Sequence, residues 1–273
     1  MVVPNPSNAP GFRLPDLYSY CPFPSIYHKN GDAIAAASEK WVEDGCRVFT
    51  EDMRRRLYDL RGGQLAAFCF NQCSDERLKV IGDFIILTFL LDNLSDELMA
   101  KDTKILANVV LTAMKFPEEY RPIQTRGKEQ HEVEPDLSRL TREYVLMFYN
   151  SFHTLTHPPH SFWTRCIAGA GLEVQARCIE NTRLWLSAII QQAHQRATGE
   201  TPTIEAYVEL RRLSSGCKLF FDLIEYSFDI QLPDYIIEDP LMKTMNDCAN
   251  DFVSFSNVSS AFSSMYGPRL NFC

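Results

Sequence analysis

The sequence predicts an all-α protein, and three observations predict it. Apolar residues recur at three- and four-residue spacing over most of the chain, which is the period of a helix face. No stretch alternates apolar and polar residues over a useful length, as a half-buried strand would. The run Phe84–Leu91 has no polar side chain except Thr88, so as a helix it must be buried on most sides and sit at the centre of others. No internal repeat is present. The 273 residues are enough to bury a substantial core in one domain.

In chain order, residues 1–30 are rich in proline and aromatics without a clear period, and read as an extended N-terminal arm laid over the body. Helical spacing begins at Asp32, through Ile34, Ala37, Trp41, Val42 and Val48. Gly62-Gly63 is expected to break the chain. Helices then follow at Leu65 to Phe70, Glu76 to Leu91 and Leu98 to Met114, the last stopped by Pro117. Arg121 to Glu134 is polar and reads as a loop, and Leu137 to Phe152 as a helix. After Pro158-Pro159, Ser161 to Ile179 reads as one long helix with small residues at Ala168, Gly169, Ala170 and Gly171. Thr182 to Ile190 reads as a shorter one. Thr203-x-Glu205 opens a helix that is interrupted at Ser214-Ser215-Gly216 and resumes from Cys217 to Phe228. Pro233 starts a short segment, and Pro240 starts a last helix to about Phe255.

Composition narrows the function classes. With 27 Lys and Arg against 35 Asp and Glu the net charge is -8, which argues against a basic stripe for nucleic acid. Nine scattered cysteines, with Cys69 and Cys73 the nearest pair, show no zinc-ligand spacing and read as mostly buried free thiols in a reducing cytosol. Met1 to Pro15 lacks the apolar centre of a signal peptide, and no apolar run reaches transmembrane length. The expectation is a cytoplasmic protein without membrane insertion, a monomer or weak homodimer.

Three stretches carry chemistry. The first is the acidic cluster that ends the central helix, Asp92-Asn93-Leu94-Ser95-Asp96-Glu97. Asp92 and Asp96 are four apart and share a helix face. Two hard oxygen donors at the mouth of an apolar cavity suit Mg2+, which takes one or two carboxylates plus substrate phosphates. A helix ending in solvated acids has the same pattern. The second stretch is Arg211-Arg212-Leu213-Ser214-Ser215-Gly216. A helix broken at glycine leaves backbone carbonyls without helical partners, and these can point at a positive charge. The preceding arginine can hold a diphosphate through its planar fork. An arginine pair on a solvated face before an ordinary helix end is the plainer reading. The third is Asn246 to Asn257, where oxygen donors again lie at helical spacing, with Asn250 and Ser254 four apart.

Together the three stretches resemble the class I terpene synthases, specifically the fungal sesquiterpene synthases of the basidiomycete type, from Phe12-Arg13-Leu14-Pro15 to Asn257. The resemblance implies a helical bundle around a central apolar cavity over residues 31–257. It places Asp92 and Asp96 in the family's aspartate-rich metal motif. Tyr207-Val208-Glu209-Leu210-Arg211-Arg212 with Ser215-Gly216-Cys217-Lys218 is similar to the family's effector segment. By that match Arg212 is the diphosphate-sensing arginine, with Arg211 as the alternative. Ser215 is the linker, and Gly216 is the effector whose carbonyl faces the substrate. The implied reaction is ionisation of farnesyl diphosphate with three Mg2+ ions, then cyclisation of the cation and release of diphosphate. Phe89, Trp163, Phe220 and Phe221 are candidates to line the cavity and stabilise the cation through their ring faces.

The chain departs from the family pattern near its end. The second metal motif, N-D-x-x-S-x-x-x-E, can start at Asn250 or at Asn257, 38 or 45 residues after Arg212. The longer separation resembles the family's and makes Asn257 the metal ligand. Only Asn257 of that triad is then present, and the family's closing helices are missing. Residues 258–273 are expected to be a non-native tail, since Val258-Ser259 can be encoded by the usual 5′ donor sequence of an intron. Little cyclase activity is expected from these 273 residues, whereas a full-length parent should be active. The alternative is a catalytically inactive homologue that binds prenyl diphosphate or a protein partner. A chain-elongating prenyl transferase ranks last, because it would show two aspartate-rich motifs.

Overall fold

A computed structural model describes residues 19, 21–45, 51–116 and 162–266, and the regular structure of these residues is all helical. The helices are α1 (Gly31–Gly45), α2 (Glu51–Asp59), α3 (Gly62–Cys69), α4 (Asp75–Glu97), α5 (Ala100–Lys115), α6 (Phe162–Ile167), α7 (Leu172–Thr198), α8 (Ile204–Ser214), α9 (Cys217–Phe228), α10 (Asp234–Ile237) and α11 (Pro240–Tyr266). The helix expected over Leu137 to Phe152 lies outside the described residues.

Helix α4 is the axis of the bundle. Ser74 caps its start, accepting a hydrogen bond from the Arg77 amide. Phe84, Ile85, Ile86 and Leu87 are all buried, so successive faces of one turn meet protein, as the unbroken apolar run requires. Around it pack α1, α3, α6, α7 and α9. The helix continues past Leu91 to Glu97, which puts Asp92 and Asp96 on its last two turns and not in a following loop. One charge lies deep in this core. Asp83 is fully buried and is paired on either side by Lys79 and Arg165, whose cationic heads both lie over the Trp41 ring. The two cations offset part of the cost of burying the carboxylate and are themselves stabilised by the ring face, while burial still holds the Asp83 carboxyl above its ordinary value.

Several sequence expectations change in structural detail. Gly62-Gly63 does not break the chain but opens α3. The break falls just before, at Arg61, whose φ is 49°. The glycines are there for contact: a Cβ on Gly63 would lie 2.6 Å from the Ala35 backbone, and one on Gly62 would lie 2.8 Å from the Ile86 side chain. The long helix expected over Ser161 to Ile179 is two helices. The small residues 168–171 separate α6 from α7, and the Gln175 side chain donates to the Ile167 and Ala170 carbonyls freed there. The short helix expected over Thr182 to Ile190 is part of α7, which runs unbroken to Gly199 with its φ of 70°. The last helix runs beyond Phe255 to Tyr266. The Thr203 cap and the α8–α9 interruption stand where the sequence places them. The end of the N-terminal arm is pinned: His28 donates its amide to the Ala67 carbonyl, and its ring Nε2 lies 3.1 Å from the Cys73 carbonyl.

Among the described cysteines all thiols are free, with Cys73, Cys166, Cys178 and Cys217 buried and Cys21, Cys69 and Cys248 exposed. No helix among the described residues is long and apolar enough to cross a membrane.

Candidate functional site

The end of α4 carries the first part of the site. Asp92 is half-buried and Asp96 exposed, one turn apart. Burial, and next the charge of Asp96, push the Asp92 carboxyl up to about 6, while Arg211 and Arg196 pull it back. Four charged groups from three helices therefore share this corner. Arg196, from the last turn of α7, reaches Asp96 Oδ1 at 3.0 Å and donates to the Ser95 carbonyl at 3.0 Å. The donor set suits a hard divalent cation. Two repelling carboxylates, one partly desolvated, gain most from a cation placed between them. Among the described residues no group of three or more His, Cys, Asp or Glu side chains converges to hold a metal. A metal here would complete its shell with amide oxygen, water or phosphate.

The second part is the α8–α9 break. Gly216 has φ 74° and ψ -5°, a left-handed conformation that turns the chain out of α8 and starts α9. Its carbonyl accepts the Leu219 amide at 3.1 Å, which leaves one lone pair open. The break is held from behind by α11. Asn250 is fully buried; its side-chain Nδ2 donates to the Arg212 carbonyl at 2.7 Å, and its Oδ1 accepts from Ser215 Oγ at 2.8 Å and from Ser254 Oγ at 2.9 Å. Asn250 and Ser254 thus act as a bolt between helices, with their polar atoms occupied.

The two arginines divide. Arg212 makes a two-point pair with Asp251, Nε to Oδ1 at 2.7 Å and Nη2 to Oδ2 at 2.6 Å, so its fork is filled. Arg211 reaches the same helix six residues further on. It donates from Nη2 to Asn257 Oδ1 at 3.2 Å, its charge is felt at Asp92, and its Nε is buried without a hydrogen-bond partner. Of the expected site residues, Asn257 is thereby bonded to Arg211, Asp96 to Arg196, and Ser215 and Gly216 form the break itself, with Ser215 on Asn250.

Aromatic and apolar groups surround Gly216. A Cβ built on it would lie 3.8 to 3.9 Å from Trp185 Nε1, Phe220 Cε2 and Thr88 Cγ2. Asn181, Leu184, Trp185, Leu213, Gly216, Lys218 and Leu219 line a small, partly open cleft that encloses about 10 Å3. Of the aromatic candidates, Phe220 is at this place. Phe89 and Phe221 are half-buried, and Phe89 packs against the core. Trp163 is elsewhere: it is 2% exposed, donates to the Met114 carbonyl at 2.9 Å and lies against Phe162, so it is a core residue. Trp185, Arg196 and Asp251 are site residues that the sequence reading did not single out. Asp251 lay inside a stretch already marked for its oxygen donors, but nothing in the order of residues pairs it with Arg212. Arg196 and Trp185 carry no local signal, since only the packing of α7 on α4 and α9 brings them in.

Comparison with known proteins follows the same residues. Residues 83–257 match the family described as terpene synthase family 2, C-terminal metal binding. The chain is 40% identical over 254 residues to sesquiterpene synthase Agr3 of Cyclocybe aegerita, covering 93% of this chain and 66% of that protein. It is 39% identical over 246 residues to alpha-muurolene synthase of Coprinopsis cinerea, covering 90% of this chain and 53% of that protein. The chain thus spans under two thirds of the length of these relatives. Among solved structures, α-eudesmol synthase superposes with a TM-score of 0.71 at 20% identity, over 89% of this chain and 71% of that one. Hedycaryol synthase in complex with nerolidol superposes with a TM-score of 0.68 at 17% identity, over 92% and 74%.

Proposed function

The chain belongs to the terpene synthase family, and we propose that its fold serves the Mg2+-dependent ionisation of farnesyl diphosphate and cyclisation to a sesquiterpene, with release of diphosphate. The observation that carries this reading is the acid-bearing end of α4 together with the left-handed break at Gly216, each with an arginine on it: Arg196 on Asp96, and Arg211, from the turn before the break, on Asn257. Names of the curated relatives support the fifteen-carbon substrate class.

The residues divide the work by their chemistry. Asp92 and Asp96 hold metal through carboxylate oxygens, and the Asn257 side-chain oxygen is a further donor within reach of Arg211. Bound Mg2+ supplies Lewis-acid stabilisation of the leaving diphosphate, and the family resemblance implies three ions. Arg211 is the arginine we assign first to the diphosphate, because its Nε is buried and without a partner. Arg212 meets the diphosphate only if it leaves Asp251. In the resting arrangement it fixes α8 against α11. The Gly216 carbonyl, with Trp185, Phe220 and Phe89 near the central helix, offers negative potential to a developing allyl cation. A closed wall around the break would be needed to keep water from the cation.

A second reading, a chain that binds prenyl diphosphate or a protein partner without turnover, is favoured by one observation. The cleft at the break encloses only about 10 Å3, room for about one water, far below the roughly 300–1,000 Å3 of ordinary ligand pockets. Residues 258–273 lie past the end of the family match at residue 257. Gas-chromatographic product analysis with farnesyl diphosphate and Mg2+ separates the readings. The two proteins compared are these 273 residues and a chain joined after Asn257 to the remaining third of a curated relative. Hydrocarbon from the extended protein is the expected result. Hydrocarbon from neither would overturn the cyclase reading.

A further inference from the structure

We infer that Arg196 is a positioning residue, the resident counter-ion of Asp96, which holds the end of α4 and yields the carboxylate to the metal. This rests on the reading of Asp92 and Asp96 as metal ligands. Two helix C-termini meet in this corner, that of α4 at Glu97 and that of α7 at Thr198. Each brings the negative end of its dipole, and Asp92 and Asp96 add two carboxylates. The last turn of α4 has no basic residue, and that of α7 has one, Arg196. The groups that face Asp96 in this corner are Arg196 in direct contact and Asp92 on the same face, with Arg211 acting on Asp92 from α8.

The guanidinium does two things at once. One nitrogen pairs with Asp96 Oδ1, and the other caps the Ser95 carbonyl, both at 3.0 Å. The carbonyl bond tethers the side chain, and the carboxylate bond is the exchangeable one. Asp96 is 65% and Arg196 44% exposed, so the pair is weak and screened by water. A divalent ion therefore displaces it at an expected loss of only about two- to fivefold in affinity. A residue that merely held the fold would have the opposite signature, because its removal would disorder the carboxylates and weaken the metal.

Calorimetric titration of Mg2+ alone into the 273-residue chain, Arg196→Gln and Arg196→Lys tests this. At low ionic strength R196Q should bind Mg2+ about two- to fivefold tighter than the parent, with R196K between them. The gap should close in high salt, since the pair is exposed. Where R196Q does not fold, R196K decides. Equal or weaker Mg2+ binding by the variants, with binding by the parent, would overturn the inference and leave the metal site standing. No Mg2+ binding by the parent would overturn the metal site and this inference with it.

Discussion

At the scale of single residues, adjacent arginines have different tasks because of what surrounds each. Arg212 is closed by a two-point pair with Asp251, whereas Arg211 bonds Asn257 and keeps a buried donor unfilled. Arg211→Ala should therefore weaken Mg2+-dependent diphosphate binding by the larger factor, at least tenfold by the strength of charge-assisted pairing, and Arg212→Ala by less. Isothermal titration of the two variants checks the order, and the reverse order would return the sensing role to Arg212. Asp92 makes a pH-dependent prediction. Its carboxyl is held at about 6 when folded, above the ordinary carboxylate value of about 3.9, so the folded chain binds the extra proton between those values. The associated stability is present at low pH and is lost as pH rises through about 6. Asp92→Asn removes the ionised form, so it should melt above the parent at pH 7.5 without Mg2+, with the gap narrowing as pH falls and closing only below about pH 4, the unfolded carboxylate value. A melting series over pH reads this directly, and a D92N variant less stable than the parent at pH 7.5 would contradict it. The sequence made both carboxylates visible through their four-residue spacing. It named Arg212 first and Arg211 as the alternative, without access to the partners that tell them apart, Asp251 and Asn257, some forty residues away.

At the scale of elements, the site depends on one left-handed residue between two helices. Gly216 has φ 74°, but a side chain there would find ordinary contacts at 3.8 to 3.9 Å. The cost of Gly216→Ala is thus backbone strain without a clash, about 1–2 kcal/mol. Denaturant unfolding should show that loss, and a neutral effect would mean that the break can reform around another residue. The bolt of Asn250, Ser254 and Ser215 sets the break's position against α11. The break was legible from Ser-Ser-Gly within an amphipathic pattern, and Thr203 was legible as a cap. The merging of Thr182 to Ile190 into α7, and the division at 168–171, were not. Four small residues can pack inside a helix or end it, and here the Gln175 side chain satisfies the freed carbonyls. Gly62-Gly63 misled for a related reason: glycine marks close helix contact as readily as a turn.

At the scale of the whole molecule, the described residues form an all-helical bundle built on α4, and the superposition on terpene synthase structures extends over about nine tenths of the chain. That architecture was readable because Phe84–Leu91 is apolar all round, which only a central helix tolerates. The Lys79–Asp83–Arg165 group was not, since it joins residues 82 positions apart. The central claim is that the carboxylate end of α4 and Arg211 together take a metal-bound diphosphate. Titration of inorganic pyrophosphate into the 273-residue chain, with and without Mg2+, tests it most directly. The account predicts binding that requires Mg2+ and is lost in D92N. Binding that is indifferent to Mg2+, or that survives unchanged in D92N, would contradict it.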